Sequence, residues 1–192
     1  MIRSLFNLSN AINKHITNLP KKTDFNLKDV KPILEKYDGN DWYDYKIKNS
    51  YKSFFDINNY STIPVVFDQL KIDDYDDYDD LYGMYIFVWN PYCHTSIQSH
   101  PEGDCLMKIL DGNIIEQKFI NCDSFSTVKN LKPGDISFNS EEYGLQRICN
   151  NNLNYAYSLN LYTPNILSTK YKEMCMTKKI NKLNLCGFAP NN

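Results

Sequence analysis

The sequence predicts a mainly β protein, with α-helices at the N-terminus followed by a jelly-roll-like β-barrel. Three observations predict this class. Short strand-like segments separated by turn residues follow one another from residue 63 onward, as in sandwiches and barrels. The 15 tyrosines and 10 phenylalanines favour β structure, because aromatic side chains suit a pleated, half-buried surface. A length of 192 residues suits one domain with a sizeable core.

Helices are predicted only in the first sixty residues. Apolar residues recur at helical spacing between residues 4 and 18. Asn26 is predicted to cap a second helix, in which Pro32 is tolerated because it lies near the first turn. A third helix is predicted to begin at Asn40 or Asp41. The apolar positions of the three helices are Leu5, Leu8, Ile12 and Ile16, then Val30, Ile33 and Leu34, then Trp42, Tyr45 and Ile47.

The remainder of the chain is predicted to form strands, punctuated by turns such as the one at Pro133-Gly134. We therefore expect a single domain over residues 1–192, helical over 1–60 and a barrel over 61–190. The predicted strands are Ile63–Phe67, Met84–Trp89, Cys105–Leu110, Ile114–Ile120, Ser124–Val128, Asp135–Phe138, Gly144–Cys149 and Tyr155–Tyr162, with weaker candidates at Tyr171–Met176 and Leu183–Phe188.

Charge and hydropathy exclude several classes of partner. The formal net charge is −2, which lacks the basic footprint of a nucleic-acid-binding protein. No apolar run is long enough to span a membrane, and the N-terminus lacks the apolar core of a signal peptide. We therefore expect a cytoplasmic monomer that binds neither nucleic acid nor membrane, and whose six cysteines are free thiols.

One compositionally biased segment, Asp73–Asp80, contains six aspartates and two tyrosines. We interpret it as a solvated loop between strands. It lacks the glycine and the distal glutamate of a calcium-binding loop, so we do not expect it to bind calcium.

Two motifs lie in the strand-rich part of the chain. The first contains Gln98-Ser99-His100, Cys105 and Gly112, and the second runs from Pro133-Gly134-Asp135 through Gly144-Leu145-Gln146 to Asn150. Together they resemble the paired motifs of the cupins. In cupins, the first motif places two metal-binding histidines on one face of a strand, where alternate side chains point the same way. A third histidine comes from the second motif.

A cysteine, Cys105, stands in the first motif, and Tyr162 followed by Thr163-Pro164 ends a later predicted strand. These residues resemble those of cysteine dioxygenase, and the resemblance extends over about residues 26–188. In that family a cysteine at the position of Cys105 can form a thioether to a tyrosine, which corresponds here to Tyr162. The family also has a cis bond before a proline just after that tyrosine, as at Thr163-Pro164. Tyr60 corresponds to another tyrosine of the family's site. The resemblance implies iron(II) as cofactor and oxidation of cysteine to cysteine sulfinate.

The sequence departs from this family where the chemistry takes place. The three iron-ligand positions are Gln98, His100 and Gln146, so only one histidine remains. Thr62 stands where the family has the arginine that binds the substrate carboxylate, and Asn160 replaces the histidine of a Ser-His-Tyr hydrogen-bonded chain.

These substitutions predict a cysteine-dioxygenase-like protein without the family's iron-dependent activity, which serves as a pseudoenzyme or binds a small molecule. A glutamine amide offers iron only a neutral oxygen, and losing two imidazoles should lower metal affinity roughly 10⁴-fold. Two alternatives remain open. One is an active thiol dioxygenase that uses Gln98, His100 and Gln146, and the other is a protein-interaction module that uses the acidic segment Asp73–Asp80.

The motif spacing predicts that five residues converge inside one barrel. Gln98 and His100 share a strand face, and Gln146 comes from the second motif. Cys105 and Tyr162 are expected to lie close together without being linked, since the metal that would drive their oxidation is not expected. The two glutamines are expected to line a hydrogen-bonded polar cavity.

Overall fold

The two N-terminal helices begin where the sequence predicts them. The computed structural model describes residues 1–44, 55–57, 60–64, 81–95, 97–99, 103–121 and 124–164. Helix α1 spans Leu5–Thr17, and the side chain of Ser4 caps it by accepting a hydrogen bond from the Asn7 amide. Helix α2 spans Leu27–Glu35 and is capped by Asn26 in the same way. Residues 41–44 are helical, as predicted, and the rest of the third predicted helix lies outside the described residues.

Eleven strands are described in the rest of the chain. They are β1 (Phe55–Ile57), β2 (Tyr60–Pro64), β3 (Gly83–Trp89), β4 (Cys93–His94), β5 (Gln98–Ser99), β6 (Asp104–Asp111), β7 (Ile114–Asn121), β8 (Ser124–Leu131), β9 (Ile136–Ser140), β10 (Leu145–Asn150) and β11 (Ala156–Thr163).

These strands form two antiparallel sheets. The six-stranded sheet has the order β1-β2-β3-β11-β6-β9, and the five-stranded sheet contains β4-β10-β7-β8, with β5 also paired to β10. This confirms the predicted mainly β, jelly-roll-like class with N-terminal helices. The described strands do not close into one continuous barrel, because no β-ladder joins one sheet to the other. The cavity expected inside a barrel is therefore the space between two sheets, which we call the interior.

The predicted boundary between helices and strands at residue 61 is too late. Strand β1 occupies Phe55–Ile57, and it pairs with β2 within the segment that was predicted to be helical. The short strand β4 was missed, because two residues are too few to show an alternating pattern, whereas a strand at Gln98 was expected only from the resemblance of the first motif. The acidic segment Asp73–Asp80 and both weaker strand candidates lie outside the described residues.

Strict alternation along β11 separates an outer face from the interior. Leu159 and Leu161 are fully buried against the helices, where they join Leu8 and Leu34 in one apolar cluster. The intervening positions face the interior, where Cys105, Met107 and Ile109 of β6 belong to a second cluster. The helices therefore cover one side of the six-stranded sheet, and the side chains on its other side face the interior.

No described helix has the length and apolar character needed to cross a membrane.

A buried lysine joins the end of helix α2 to the six-stranded sheet. Lys108 of β6 is only 6% exposed, and its Nζ donates to the Leu34 carbonyl at 2.9 Å, to the Glu35 carbonyl at 3.4 Å and to the Tyr37 carbonyl. These carbonyls lie at the C-terminal end of the helix, which carries partial negative charge. Burial lowers the pKa of the Lys108 ammonium, and nearby Asp38 and Glu35 oppose this shift.

Replacing this lysine is expected to destabilise the fold. In Lys108→Met the buried helix-end carbonyls lose a charged donor, and we expect the free energy of unfolding to fall by about 2–3 kcal/mol. Urea unfolding monitored by circular dichroism measures this loss. The neighbouring exposed Lys36 provides the control, and Lys36→Met should change stability by less than about 0.5 kcal/mol. Equal losses of unfolding free energy in the two variants would show that the contact of Lys108 with the end of helix α2 does not stabilise the fold.

A second buried polar residue, Asn150 at the end of β10, organises the turn before β11. It is fully buried, and its Nδ2 donates to the carbonyls of Trp89 at 3.2 Å, Asn90 at 3.1 Å and Asn154 at 2.9 Å. Its Oδ1 accepts from the Asn152 amide at 3.1 Å. This one side chain therefore supplies hydrogen-bond partners for backbone groups at the end of β3 and in the turn between β10 and β11.

Candidate functional site

The structure brings the backbones of the two predicted glutamine positions together. Gln98 of β5 and Gln146 of β10 are direct register partners in an antiparallel pair. The approach of these strands is held by Thr95, whose amide donates to the Ile148 carbonyl at 2.9 Å and whose hydroxyl accepts from the Ile148 amide at 3.1 Å. His100 lies outside the described residues, so the predicted meeting of all three positions stays a prediction.

Cys105 and Tyr162 are also direct register partners, across β6 and β11. Cys105 is 3% exposed, and burial raises the pKa of its thiol. A hydrogen bond with Tyr162 opposes that shift, while Glu116 and Asp104 add to it. Cys105 is therefore a neutral thiol at pH 7, and the predicted proximity of the two side chains is confirmed.

Tyr162 has two aromatic rings as neighbours, and the residue that follows it packs closely against Gly103. Its ring centroid lies 5.8 Å from that of Tyr85 and 6.2 Å from that of Phe87. The bond Thr163-Pro164 that follows it is cis, as the resemblance implied. Gly103, just before β6, has a φ of +98°, and a Cβ there would collide with the Thr163 carbonyl. The glycine thus allows the start of β6 to approach the end of β11.

The side chains of Ser158, Asn160 and Tyr162 on β11 face the interior, but this series lacks a group that can carry a proton at Asn160. Ser158 accepts a hydrogen bond from Trp89 Nε1 at 3.0 Å. Asn160 is 3% exposed, and its Oδ1 has no hydrogen-bond partner among the described residues. An amide cannot take up and release a proton near neutral pH as an imidazole does, so Asn160 could not serve as the proton carrier that the resemblance implies at this position.

Tyr60 and Thr62 lie on β2, at the other side of the aromatic strand β3. The Cα of Tyr60 is in register with Trp89, and that of Thr62 with Phe87. The backbone thus places both positions in the sheet that carries Cys105 and Tyr162.

One polar cluster in the interior, formed by Glu116, Ser137 and Asn139, was not predicted from the sequence. Glu116 of β7 is 1% exposed, and Ser137 Oγ of β9 lies 2.8 Å from both of its carboxylate oxygens. Asn139 Nδ2 donates to Glu116 Oε1 at 2.6 Å. Because β7 and β9 belong to different sheets, this cluster bridges the interior. The signal was available, since Glu116 shares a strand face with buried Ile114.

The residues at the three positions that the resemblance assigns to iron do not fit an iron site of three histidines. Two of the three offer only a neutral amide, which is a weaker donor to ferrous iron than imidazole. Within the described parts of the chain, no three histidine, cysteine or acidic side chains are grouped so that they could hold a metal ion. The buried carboxylate of Glu116 belongs to no such group, and it accepts hydrogen bonds from Ser137 and Asn139.

The chain belongs to the cysteine dioxygenase type I family, because residues 8–172 match that family. The match includes both glutamine positions, Cys105, Tyr162 and Glu116. The paired motifs, the Cys105–Tyr162 contact and the cis bond agree with this membership.

Solved structures that resemble the chain are distant. A double-stranded β-helix protein from Klebsiella pneumoniae is 16% identical, with a TM-score of 0.37 over 44% of this chain and 65% of that one. A cupin superfamily protein from Desulfitobacterium hafniense is 15% identical, with a TM-score of 0.40 over 55% of this chain and 78% of that one. The 7S globulin of Momordica charantia is 12% identical, with a TM-score of 0.47 over 58% of this chain and 31% of that one.

Proposed function

We propose that this protein is a member of the cysteine dioxygenase type I family that does not carry out iron-dependent oxidation of cysteine, and whose interior binds a small polar molecule. The observation that carries the proposal is the register pairing of Gln98 with Gln146. The fold keeps these two positions adjacent, while their side chains have lost the imidazoles that would hold iron.

The substrate side of the reaction supports the same conclusion. Thr62 has no charge with which to orient a carboxylate, whereas an arginine makes two parallel hydrogen bonds to it. Loss of such positioning removes a large part of the rate that an enzyme gains by holding its reactants in place. Asn160 in turn removes the imidazole beside Tyr162. Metal binding, substrate orientation and proton transfer are thus weakened together.

A second candidate function is supported by the contact between Cys105 and Tyr162. Their register pairing is the arrangement in which the family's thioether can form, and it favours an active thiol dioxygenase with Gln98, His100 and Gln146 around iron. We rank this candidate second because it needs two amide ligands where the family uses imidazole. A role for Asp73–Asp80 in protein interaction rests on the composition of that segment alone.

We also propose that the protein works as a monomer in the cytoplasm. The described cysteines Cys93, Cys105 and Cys149 are all buried free thiols. Unpaired buried cysteines suit a reducing compartment, where disulfides rarely persist.

Iron loading and the state of Cys105 test the proposal in one preparation. Protein from an iron-supplemented culture should retain far less than one iron per chain, measured by elemental analysis. Peptide mass spectrometry should find Cys105 and Tyr162 unlinked, because their oxidation needs a competent metal. A loss of two hydrogens localised to this pair, together with bound iron, would support the second candidate and contradict the first.

A further inference from the structure

The cluster of Glu116, Ser137 and Asn139 has more hydrogen-bond acceptors than donors. A carboxylate has about four lone-pair positions. The single Ser137 hydroxyl proton and one Asn139 N–H occupy two of them. Asn139 Oδ1 is buried and has no partner among the described residues, and Asn139 itself is 3% exposed. Unsatisfied acceptors in a buried place are costly, so this cluster lacks a donor.

No described side chain forms a direct ion pair with the cluster. Lys118 follows Glu116 on the same strand face; burial lowers the pKa of its ammonium and the charge of Glu116 opposes this shift, but its Nζ lies 4.3 Å from the centroid of the Tyr143 ring. Lys129, the register partner of Glu116 on β8, is exposed. Glu116 forms no ion pair within 4.0 Å with either lysine or with another described cation. A buried carboxylate without a directly paired cation is uncommon in folded proteins.

A second unsatisfied acceptor faces the same interior. Asn160 is the register partner of Met107, which is in turn the register partner of Ser137. Its buried Oδ1 therefore belongs to the same sheet face as the Ser137 and Asn139 side chains. The aromatic rings of Tyr85, Phe87 and Tyr162 lie on this face as well, and they provide an apolar, π-rich wall.

We propose that the interior binds a small molecule through a primary ammonium group, which donates to the carboxylate of Glu116 and to the amide oxygens of Asn139 and Asn160. An ammonium has three N–H donors, and the three side chains provide one carboxylate and two amide oxygens as acceptors. The neighbouring aromatic rings suit the carbon body of such an amine and attract its charge. This inference deepens the proposed function, on which it rests for the claim that the interior is a binding cavity.

An amine fits the donor and acceptor count better than a metal ion or an anion. Calcium takes six to eight oxygen ligands, and magnesium needs a near-ideal octahedron, whereas three acceptor side chains are available here. An anion would be repelled by Glu116. A water molecule could donate only two hydrogens and would leave the charge of the carboxylate unbalanced.

Nuclear magnetic resonance titration of the full chain, treated with a chelator to remove metal, tests the proposal. Ethylammonium should shift the side-chain amide signals of Asn139 and Asn160 in a saturable way. Tetramethylammonium has the same charge but no N–H donor, and it should leave these signals unchanged. Glu116→Gln should weaken ethylammonium binding about tenfold or more, because a charge-assisted hydrogen bond is lost. The control Glu142→Gln changes an exposed glutamate and should leave binding intact.

Three outcomes would overturn the inference. They are the absence of any saturable shift with ethylammonium, equal binding by Glu116→Gln and the parent, and, in a separate titration without chelator, binding of magnesium or calcium in place of the amine. If Glu116→Gln does not fold, Asn160→Leu removes a different acceptor and should also weaken ethylammonium binding. Iron takes no part in this experiment, so cysteine oxidation by the protein would contradict the proposed loss of activity without deciding whether the amine binds.

Discussion

The double variant Gln98→His with Gln146→His is expected to bind ferrous iron at least about 10²-fold, and up to about 10⁴-fold, more tightly than the parent protein. The two backbones are already adjacent in register, so the imidazoles would be introduced into neighbouring positions. Together with His100 they would restore the family's three-histidine set. Iron affinity is measured by competition with a chelating dye under anaerobic conditions. We expect the gain to be larger for the pair than for either single change, because iron needs several ligands at once.

The same experiment has a matched control and a clear contradiction. Gln117 of β7 is in register with Arg147, on the opposite strand face from Gln146. Gln117→His should leave iron affinity within about twofold of the parent, since it adds an imidazole away from the site. If the double variant binds no more iron than this control, the assignment of Gln98 and Gln146 to the ligand positions is wrong. Activity of the double variant should stay low until Thr62→Arg restores a group that orients the substrate carboxylate.

The largest expected loss of stability follows from Asn150→Ala. The change removes the donor to the carbonyls of Trp89, Asn90 and Asn154 and the acceptor for the Asn152 amide. We expect the free energy of unfolding to fall by about 3–4 kcal/mol, because several polar groups lose their partner around a fully buried side chain. Urea unfolding followed by tryptophan fluorescence measures the effect, since Trp89 lies beside the site of the change.

Two further variants separate lost hydrogen bonds from lost volume at this position. Asn150→Asp keeps the shape of the side chain but turns its donor into an acceptor that faces three carbonyl oxygens, so it should destabilise at least as much as Asn150→Ala. Asn151→Ala, at the exposed next residue, should cost less than about 0.5 kcal/mol. A loss of less than 1 kcal/mol in Asn150→Ala would mean that water replaces the amide without penalty.

The parts of the fold that depend on local pattern could be predicted from the sequence. Ser4 and Asn26 cap helices at the positions where the apolar period begins. The strand predicted at Tyr155–Tyr162 is β11 (Ala156–Thr163), and the resemblance placed its partner Cys105 beside Tyr162. These features depend on neighbouring residues and on strand periodicity, which can both be read along the chain.

Features that depend on tertiary contacts could not be predicted in the same way. Lys108 would be expected to be exposed, yet it is buried because helix α2 ends above it and offers carbonyl oxygens. The Glu116 cluster joins strands from two sheets that are adjacent only in space. Strand β1 lies inside a segment with helical composition, and its pairing with β2 decides its conformation.

Because the family's fold is retained here while two imidazoles are missing from the positions assigned to iron, iron-supplemented protein should show no cysteine-dependent oxygen uptake. Uptake should be measured with an oxygen electrode while cysteine sulfinate is quantified by mass spectrometry. We expect no sulfinate above a buffer control that contains the same ferrous iron. Sulfinate formation at a rate proportional to the iron bound by the protein would contradict this expectation, and would make Gln98 and Gln146 ligands of an active metal.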